Sequence, residues 1–190
     1  EVEGFDRIPM KDYNKFLPVQ QGQQGIQSKS FNIFDNFTEE LKDIKLFCEH
    51  ELKKYLEHIE GVDTNLAGLR ITQSWLNKTK PQEYHHLHHH TNSFLSGVFY
   101  FNCLPNDSII FANRSYESHQ NMQFPTKKLT IWKSANIIQP ITKGDLIIFP
   151  SWVPHHVDMN NTDKERISLS FNTFPIGELG VYQYGSHLKL

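Results

Sequence analysis

The sequence predicts a mainly β chain braced by one N-terminal helix, and three observations carry that prediction. From residue 66 onward, short apolar or alternating runs are separated by turn signals at close intervals, the texture of a sandwich or jelly roll. Ahead of them a single stretch shows helical spacing. The 190 residues, 38% apolar and 13% aromatic with a net charge of -2, suit one domain with a sizeable core and exclude disorder, which needs few aromatics and a high net charge.

Taken in order, residues 1–35 read as irregular, with Gln20-Gln21-Gly22-Gln23-Gln24-Gly25 a flexible polar loop. The first methionine is Met10, so the sequence is expected to start inside a longer gene product or to have lost a leader. The opening stretch EVEGFDRIPM has no signal-peptide pattern. Residues 36–60 carry Phe37, Leu41, Ile44, Cys48, Leu52, Tyr55 and Ile59 at spacings of three and four, one apolar stripe of an amphipathic helix. Thr38 is placed to cap it, Glu39 and Glu40 suit its first turn, and Gly61 marks its end. Strands are expected at 69–76, 84–90, 94–102, 108–112, 129–132, 136–139, 145–149, 153–157 and 166–173. Lys80-Pro81, Pro105-Asn106-Asp107, Lys143-Gly144-Asp145 and Asn160-Asn161-Thr162-Asp163 punctuate them. Two layers, with the helix closing one outer face, would satisfy burial.

Composition also bounds function. The near-neutral balance leaves no electrostatic footprint for nucleic acid or an anionic membrane, Lys127, Lys128 and Lys133 forming only a small basic cluster. No apolar run approaches the ~20 residues of a membrane span. Two cysteines, Cys48 and Cys103, are too few for a disulfide scaffold, so a reducing, cytoplasmic setting is expected.

Histidine is the outlying residue: 11 in all, five of them within residues 85–90. On a strand, His86, His88 and His90 share one face, while His85, Leu87 and His89 turn away. Two imidazoles at i and i+2 can reach one metal ion, and a further ligand must come from a neighbouring strand. His155 in Phe149-Pro150-Ser151-Trp152-Val153-Pro154-His155-His156-Val157 is the best source. Three ligands with open positions fit a catalytic rather than a closed structural metal. Downstream, Arg166-Ile167-Ser168-Leu169-Ser170-Phe171-Asn172 alternates strictly. Arg166, Ser168, Ser170 and Asn172 would face a pocket between the sheets, and Ile167, Leu169 and Phe171 would pack beneath the helix. An arginine at such a place suits a carboxylate. Trp75, Trp132 and Trp152 are read as core, and the polar stretch 113–128 as a connection long enough to cover a substrate.

Four segments in order, Ser74-Trp75-Leu76-Asn77, His88-His89-His90 with Ser96-Gly97-Val98-Phe99-Tyr100, Phe149-Pro150-Ser151-Trp152 with His155, and Arg166 to Asn172, resemble the 2-oxoglutarate-Fe(II) oxygenases of bacteria and their phages. These form a branch of the double-stranded β-helix dioxygenases. The resemblance covers about residues 70–174. It implies a cupin-like jelly roll; with the change of texture at residue 66, the single domain is expected to comprise a supporting segment over 1–65, a jelly-roll core over 66–175 and a tail over 176–190. The resemblance further implies Fe(II) on His88, His90 and His155, with Arg166 and Ser168 on the distal carboxylate of 2-oxoglutarate and Tyr100 directed at the same group. The implied reaction consumes dioxygen and 2-oxoglutarate, hydroxylates an unidentified small-molecule or peptide substrate, and releases succinate and CO2. One position departs from the wider superfamily, which has Asp or Glu two residues after the first histidine; here that residue is His90, with Glu83, Asn92 and Asp158 as nearby but badly spaced alternatives. Two other readings remain: a three-histidine cupin enzyme that does not use 2-oxoglutarate, and a non-enzymatic jelly-roll binding module stabilised by metal.

Overall fold

A computed structural model describes residues 5–7, 23–113, 125, 127, 128 and 130–190. Most of the 113–128 connection therefore lies outside the described residues. Among the described residues, twelve strands are arranged in two facing sheets. In chain order they are β1 (Phe5–Arg7), β2 (Gln23–Gln24), β3 (Ile26–Ser28), β4 (Ala67–Thr79), β5 (Glu83–His88), β6 (Leu95–Asn102), β7 (Ser108–Ala112), β8 (Asn136–Pro140), β9 (Leu146–Pro150), β10 (His155–Val157), β11 (Arg166–Leu179) and β12 (Leu188–Lys189). The larger sheet runs β1-β3-β4-β11-β6-β9 with β12 against β11, and the smaller runs β2-β5-β10-β7-β8. Between β4 and β11 the chain crosses from sheet to sheet at almost every connection, the β7–β8 pair excepted. That interleaving winds a double-stranded β-helix.

Two helices, α1 (Ile33–Asn36) and α2 (Lys42–Tyr55), cover the outer face of the larger sheet. Ile33 and Phe34 of α1, Cys48 and Leu52 of α2, and Leu76, Leu95, Leu169 and Phe171 of the sheet form one apolar cluster. Full burial of each such large side chain contributes about 1.5–3 kcal/mol. A second cluster of Val98, Tyr100, Ile109, Ile141 and Phe149 fills the space between the sheets. Alternation in β11 splits its residues between the two compartments, with Leu169 under the helices and Ser168 and Ser170 toward the interior pocket.

The helix starts later than its apolar spacing predicts. The Phe34 amide donates to Ser74 Oγ at 3.0 Å and the Ser74 amide to the Phe31 carbonyl at 2.7 Å, which pins α1 to the sheet as a separate turn. Residues 37–41 then form a turn, and α2 begins after Leu41 with no side-chain cap, so Thr38 does not cap it. At the other end a π-helical turn over Leu56–Glu60 ends on Gly61 at φ 68°, the left-handed geometry glycine tolerates. Two further expectations are corrected. Gln23–Gln24 pairs in parallel with β5 instead of looping, and Ile131–Lys133 is a single 3-10 turn where a strand was predicted.

Candidate metal centre

Strands β5 and β10 are antiparallel neighbours, and His155 sits directly opposite His88. His90 lies just beyond the end of β5, where its amide donates to the Ser151 carbonyl at 2.9 Å. The ring centroids are 4.3 Å apart for His88 and His155, 5.1 Å for His88 and His90, and 5.2 Å for His90 and His155. One nitrogen from each ring lies within 4.8 Å of the others, and among the described residues this is the one such group of potential ligands. The nearby alternatives are elsewhere. Glu83 accepts the Lys80 amide at 2.8 Å, Asp158 approaches His156 at 3.5 Å, and Asn92 occupies a left-handed turn at φ 55°.

The donor chemistry fits a divalent metal. His88 Nδ1 lies 2.8 Å from the His86 carbonyl and His155 Nδ1 lies 3.1 Å from the Val153 carbonyl. A carbonyl only accepts, so each Nδ1 carries the hydrogen and each Nε2 keeps a free lone pair, the arrangement of a metal-binding imidazole. Burial, reinforced by neighbouring imidazoles, lowers all three pKa values, to about 4 for His90 and about 3 for His155. The rings are neutral at physiological pH and ready to ligate. Phe149 packs edge-on against His155 at 4.7 Å. Behind the His90 turn, Ser151 bonds both Ser93 and Ser96, and Ser96 bonds Asn172. Asn172, read as a pocket residue, thus joins the polar web that fastens this turn.

The histidine strand itself does not alternate simply. His88 pairs with His155 but His85 pairs with Val157, so two residues of β5 oppose the single His156, a β-bulge. The extra residue returns His85 to the interior, where it lines the same pocket as His88, contrary to the expectation that it turns away. Burial, with the neighbouring histidines, holds its pKa well below the usual value. His86, expected beside His88, supplies instead the carbonyl that orients His88. His89 is exposed as predicted.

From the histidines the pocket runs between the sheets past Trp75, Asn77, Tyr100, Ser168 and Ser170 to Arg166. Tyr100 is 2% exposed and Ser168 5%. Burial pushes the Tyr100 phenol up, with the Arg166 charge opposing. One partner here has no signal in the sequence. Arg166 donates through Nε and Nη2 to Asp107 at 2.7 and 2.5 Å, with side-chain exposures of 6% and 3%. That pair uses one edge of the guanidinium and leaves Nη1 and the second hydrogen of Nη2 for another acceptor. Trp152, read as core, is 59% exposed, and the side chain of Trp132 lies outside the described residues. Trp75 Nε1 and Asn77 Oδ1 are buried and lack a hydrogen-bond partner among the described residues. Such orphaned groups in a pocket fit a site shaped for a polar ligand.

Comparison with known proteins agrees with this geometry. A family model described as "Putative 2OG-Fe(II) oxygenase" matches residues 73–172, from the strand that carries Trp75 to Asn172. No curated protein matches the sequence. Among solved structures, the non-heme alpha ketoglutarate dependent carbocyclase SnoK from nogalamycin biosynthesis superposes with a TM-score of 0.59 at 13% identity, over 90% of this chain and 68% of that one. The epimerase SnoN, in complex with Fe3+, alpha ketoglutarate and nogalamycin RO, gives 0.58 at 14%, over 95% and 73%. A 2OG-Fe(II) oxygenase family oxidoreductase from Burkholderia pseudomallei gives 0.51 at 12%, over 82% and 65%. At these identities the likeness is one of fold, the double-stranded β-helix. With the family model covering more than half of its length, the chain belongs to the 2OG-Fe(II) oxygenase family, whose cofactors are Fe(II) and 2-oxoglutarate.

Proposed function

We propose that the chain is a dioxygenase that binds Fe(II) on His88, His90 and His155, binds 2-oxoglutarate with Arg166, Ser168 and Tyr100, and hydroxylates a small-molecule or peptide substrate. The observation that carries this reading is the polarity of one pocket: three neutral imidazole nitrogens converge at one end and a buried guanidinium stands at the other. When bound, Fe(II) and 2-oxoglutarate supply the oxidising chemistry, with dioxygen as oxidant and succinate and CO2 as products. The protein's share is placement. His88 and His155 are held in one tautomer by backbone carbonyls, which presents their Nε2 atoms without further reorganisation. Arg166 fixes the direction of the diacid by clamping its distal carboxylate, and Asp107 holds the guanidinium in place. Tyr100, neutral at any physiological pH, offers a hydroxyl donor to the same carboxylate. A three-histidine enzyme that makes no use of 2-oxoglutarate would have no need of the arginine end.

The deciding experiment is an anaerobic Fe(II) titration followed by visible absorption, with and without 2-oxoglutarate. A weak metal-to-ligand charge-transfer band is expected only when both are present, because it reports the oxo acid chelated to iron. Since Arg166→Ala alone would strand the buried Asp107, the control is the double substitution Asp107→Leu with Arg166→Met. It is expected to keep iron and to lose the band at the 2-oxoglutarate concentration that saturates the wild type. Tight iron binding without any dependence on 2-oxoglutarate would refute the proposal and favour a metal-stabilised binding module or a 2-oxoglutarate-independent enzyme.

A further inference from the structure

We infer that Trp75 and Asn77, on β4, are the hydrogen-bonding contacts along the length of bound 2-oxoglutarate, between the histidines and Arg166. The inference rests on the 2-oxoglutarate reading above. It starts from the register of β4 against β11, which sets three rungs on the pocket face: Trp75 opposite Ser170, Asn77 opposite Ser168, and Thr79 opposite Arg166. All six residues line the pocket. The Trp75 ring lies 5.7 Å from His90, at the metal end of the ladder, and the Thr79 rung is the arginine end. A diacid tied to the histidines at one end and to Arg166 at the other spans the rungs between.

Those rungs hold the orphaned atoms. Trp75 is 6% exposed and Asn77 8%, yet Trp75 Nε1 and Asn77 Oδ1 have no hydrogen-bond partner among the described residues. An unmade buried hydrogen bond is costly, so two in one pocket represent a deficit that a ligand can relieve. Trp75 has only a donor to give. Asn77 is ambiguous in a useful way. Its Nδ2 donates to Ser170 Oγ at 2.8 Å, but a hydroxyl donates as readily as it accepts, and turning the amide over preserves that bond with Ser170 as donor. The Asn77 NH2 then takes the place of the unpaired oxygen. 2-Oxoglutarate offers acceptors only, so both Trp75 Nε1–H and Asn77 Nδ2–H donate to its oxygens.

The test uses Zn(II)-loaded protein, in which the metal is diamagnetic and redox-inert. In a 1H–15N spectrum, the Trp75 indole resonance is the one missing in Trp75→Phe. On addition of 2-oxoglutarate that resonance is expected to move downfield, as a hydrogen bond to an anion requires. By calorimetry, Trp75→Phe and Asn77→Ala are each expected to weaken 2-oxoglutarate binding about 10-fold or more, the loss of one bond to a charged acceptor, with Zn(II) affinity unchanged. Asn77→Asp, close in size but placing a negative charge beside the diacid, is expected to weaken it further than Asn77→Ala. If the wild type binds 2-oxoglutarate while the indole resonance stays still and the variants bind within twofold, the inference is overturned and the proposed function stands. If the metal-loaded wild type takes up no 2-oxoglutarate, the proposed function falls and takes this inference with it.

Discussion

Asp107 and Arg166 form a buried ion pair, and breaking it from one side should cost more than removing it whole. The Asp107 carboxylate accepts four hydrogen bonds: two from the guanidinium, one from the Leu104 amide at 3.1 Å and one from the Ser108 amide at 3.0 Å. Asp107→Asn keeps the volume but turns one acceptor into an NH2 that faces a donor, and it leaves the arginine charge buried and unpaired. Removing one partner of such a pair costs about 3–5 kcal/mol. Against a total stability of about 5–15 kcal/mol, the variant is expected to be marginal. For a chain of this length each kcal/mol shifts Tm by about 2–4 °C, so the melting point should fall by roughly 6–20 °C. The double variant Asp107→Leu with Arg166→Met removes both charges together and is expected to lose less than the single variant, about 1–3 kcal/mol, chiefly for the Leu104 amide left without its acceptor. Urea denaturation followed by far-UV circular dichroism measures all three proteins. A single-variant loss below about 1 kcal/mol, or a double variant as damaged as the single one, would show that solvent reaches the pair and would refute the argument.

Two further outcomes follow from the packing and the histidines. A Cβ added at Gly97 would run into the ring of Phe171, which is fully buried. Gly97→Ala is therefore expected to lower the urea midpoint by the equivalent of about 1–3 kcal/mol, and an unchanged midpoint would mean that the ring swings aside freely. In the metal-free protein, His90 and His155 hold pKa values of about 4 and about 3 against an ordinary 6.5. Below pH 6.5 the unfolded chain takes up protons that the folded one refuses, so stability falls as pH drops from 6.5 toward 3 and is fully present above that window. A melting temperature equal at pH 7.0 and 5.0 would contradict this.

How much of this was legible in the sequence depends on whether a feature is set locally. The strand of Arg166 to Asn172 could be read because its alternation is unbroken and Leu169 and Phe171 have one place to go, beneath the helices. His85 could not be placed, because period-two reading assumes no bulge and the bulge at His85–His88 is decided by pairing with β10. Asp107 looked like part of a Pro-Asn-Asp turn signal, and nothing in that turn announces a partner 59 residues away. The start of α2 failed for a related reason. Thr38 suits a cap, but the anchoring of Phe34 to Ser74 fixes the preceding turn from a strand far along the chain. Trp75 lay inside the strand expected at 69–76 and Asn77 one residue past its expected end, whereas the strand runs on to Thr79, and the unpaired atoms of neither could be read.

Asp107 also bears on the histidine that stands where the wider superfamily has a carboxylate. Three neutral imidazoles leave a bound Fe(II) with its full double charge, which dianionic 2-oxoglutarate cancels. Arg166 is already cancelled by Asp107, so the loaded pocket sums to zero. With a carboxylate ligand, the iron and the dianion together would carry one negative charge, and an unpaired arginine would restore neutrality. Both arrangements balance, and a mixed one does not. A stray unit charge about 8 Å from its nearest counterpart is worth about 2 kcal/mol at an effective dielectric of about 20, enough to change cosubstrate affinity by more than tenfold. On the proposed reading, the neutral His90 at the metal and the Asp107 carboxylate at the guanidinium would together leave the loaded pocket uncharged. Glu83 and Asp158 have contacts of their own, and among the described residues neither joins the three converging histidines.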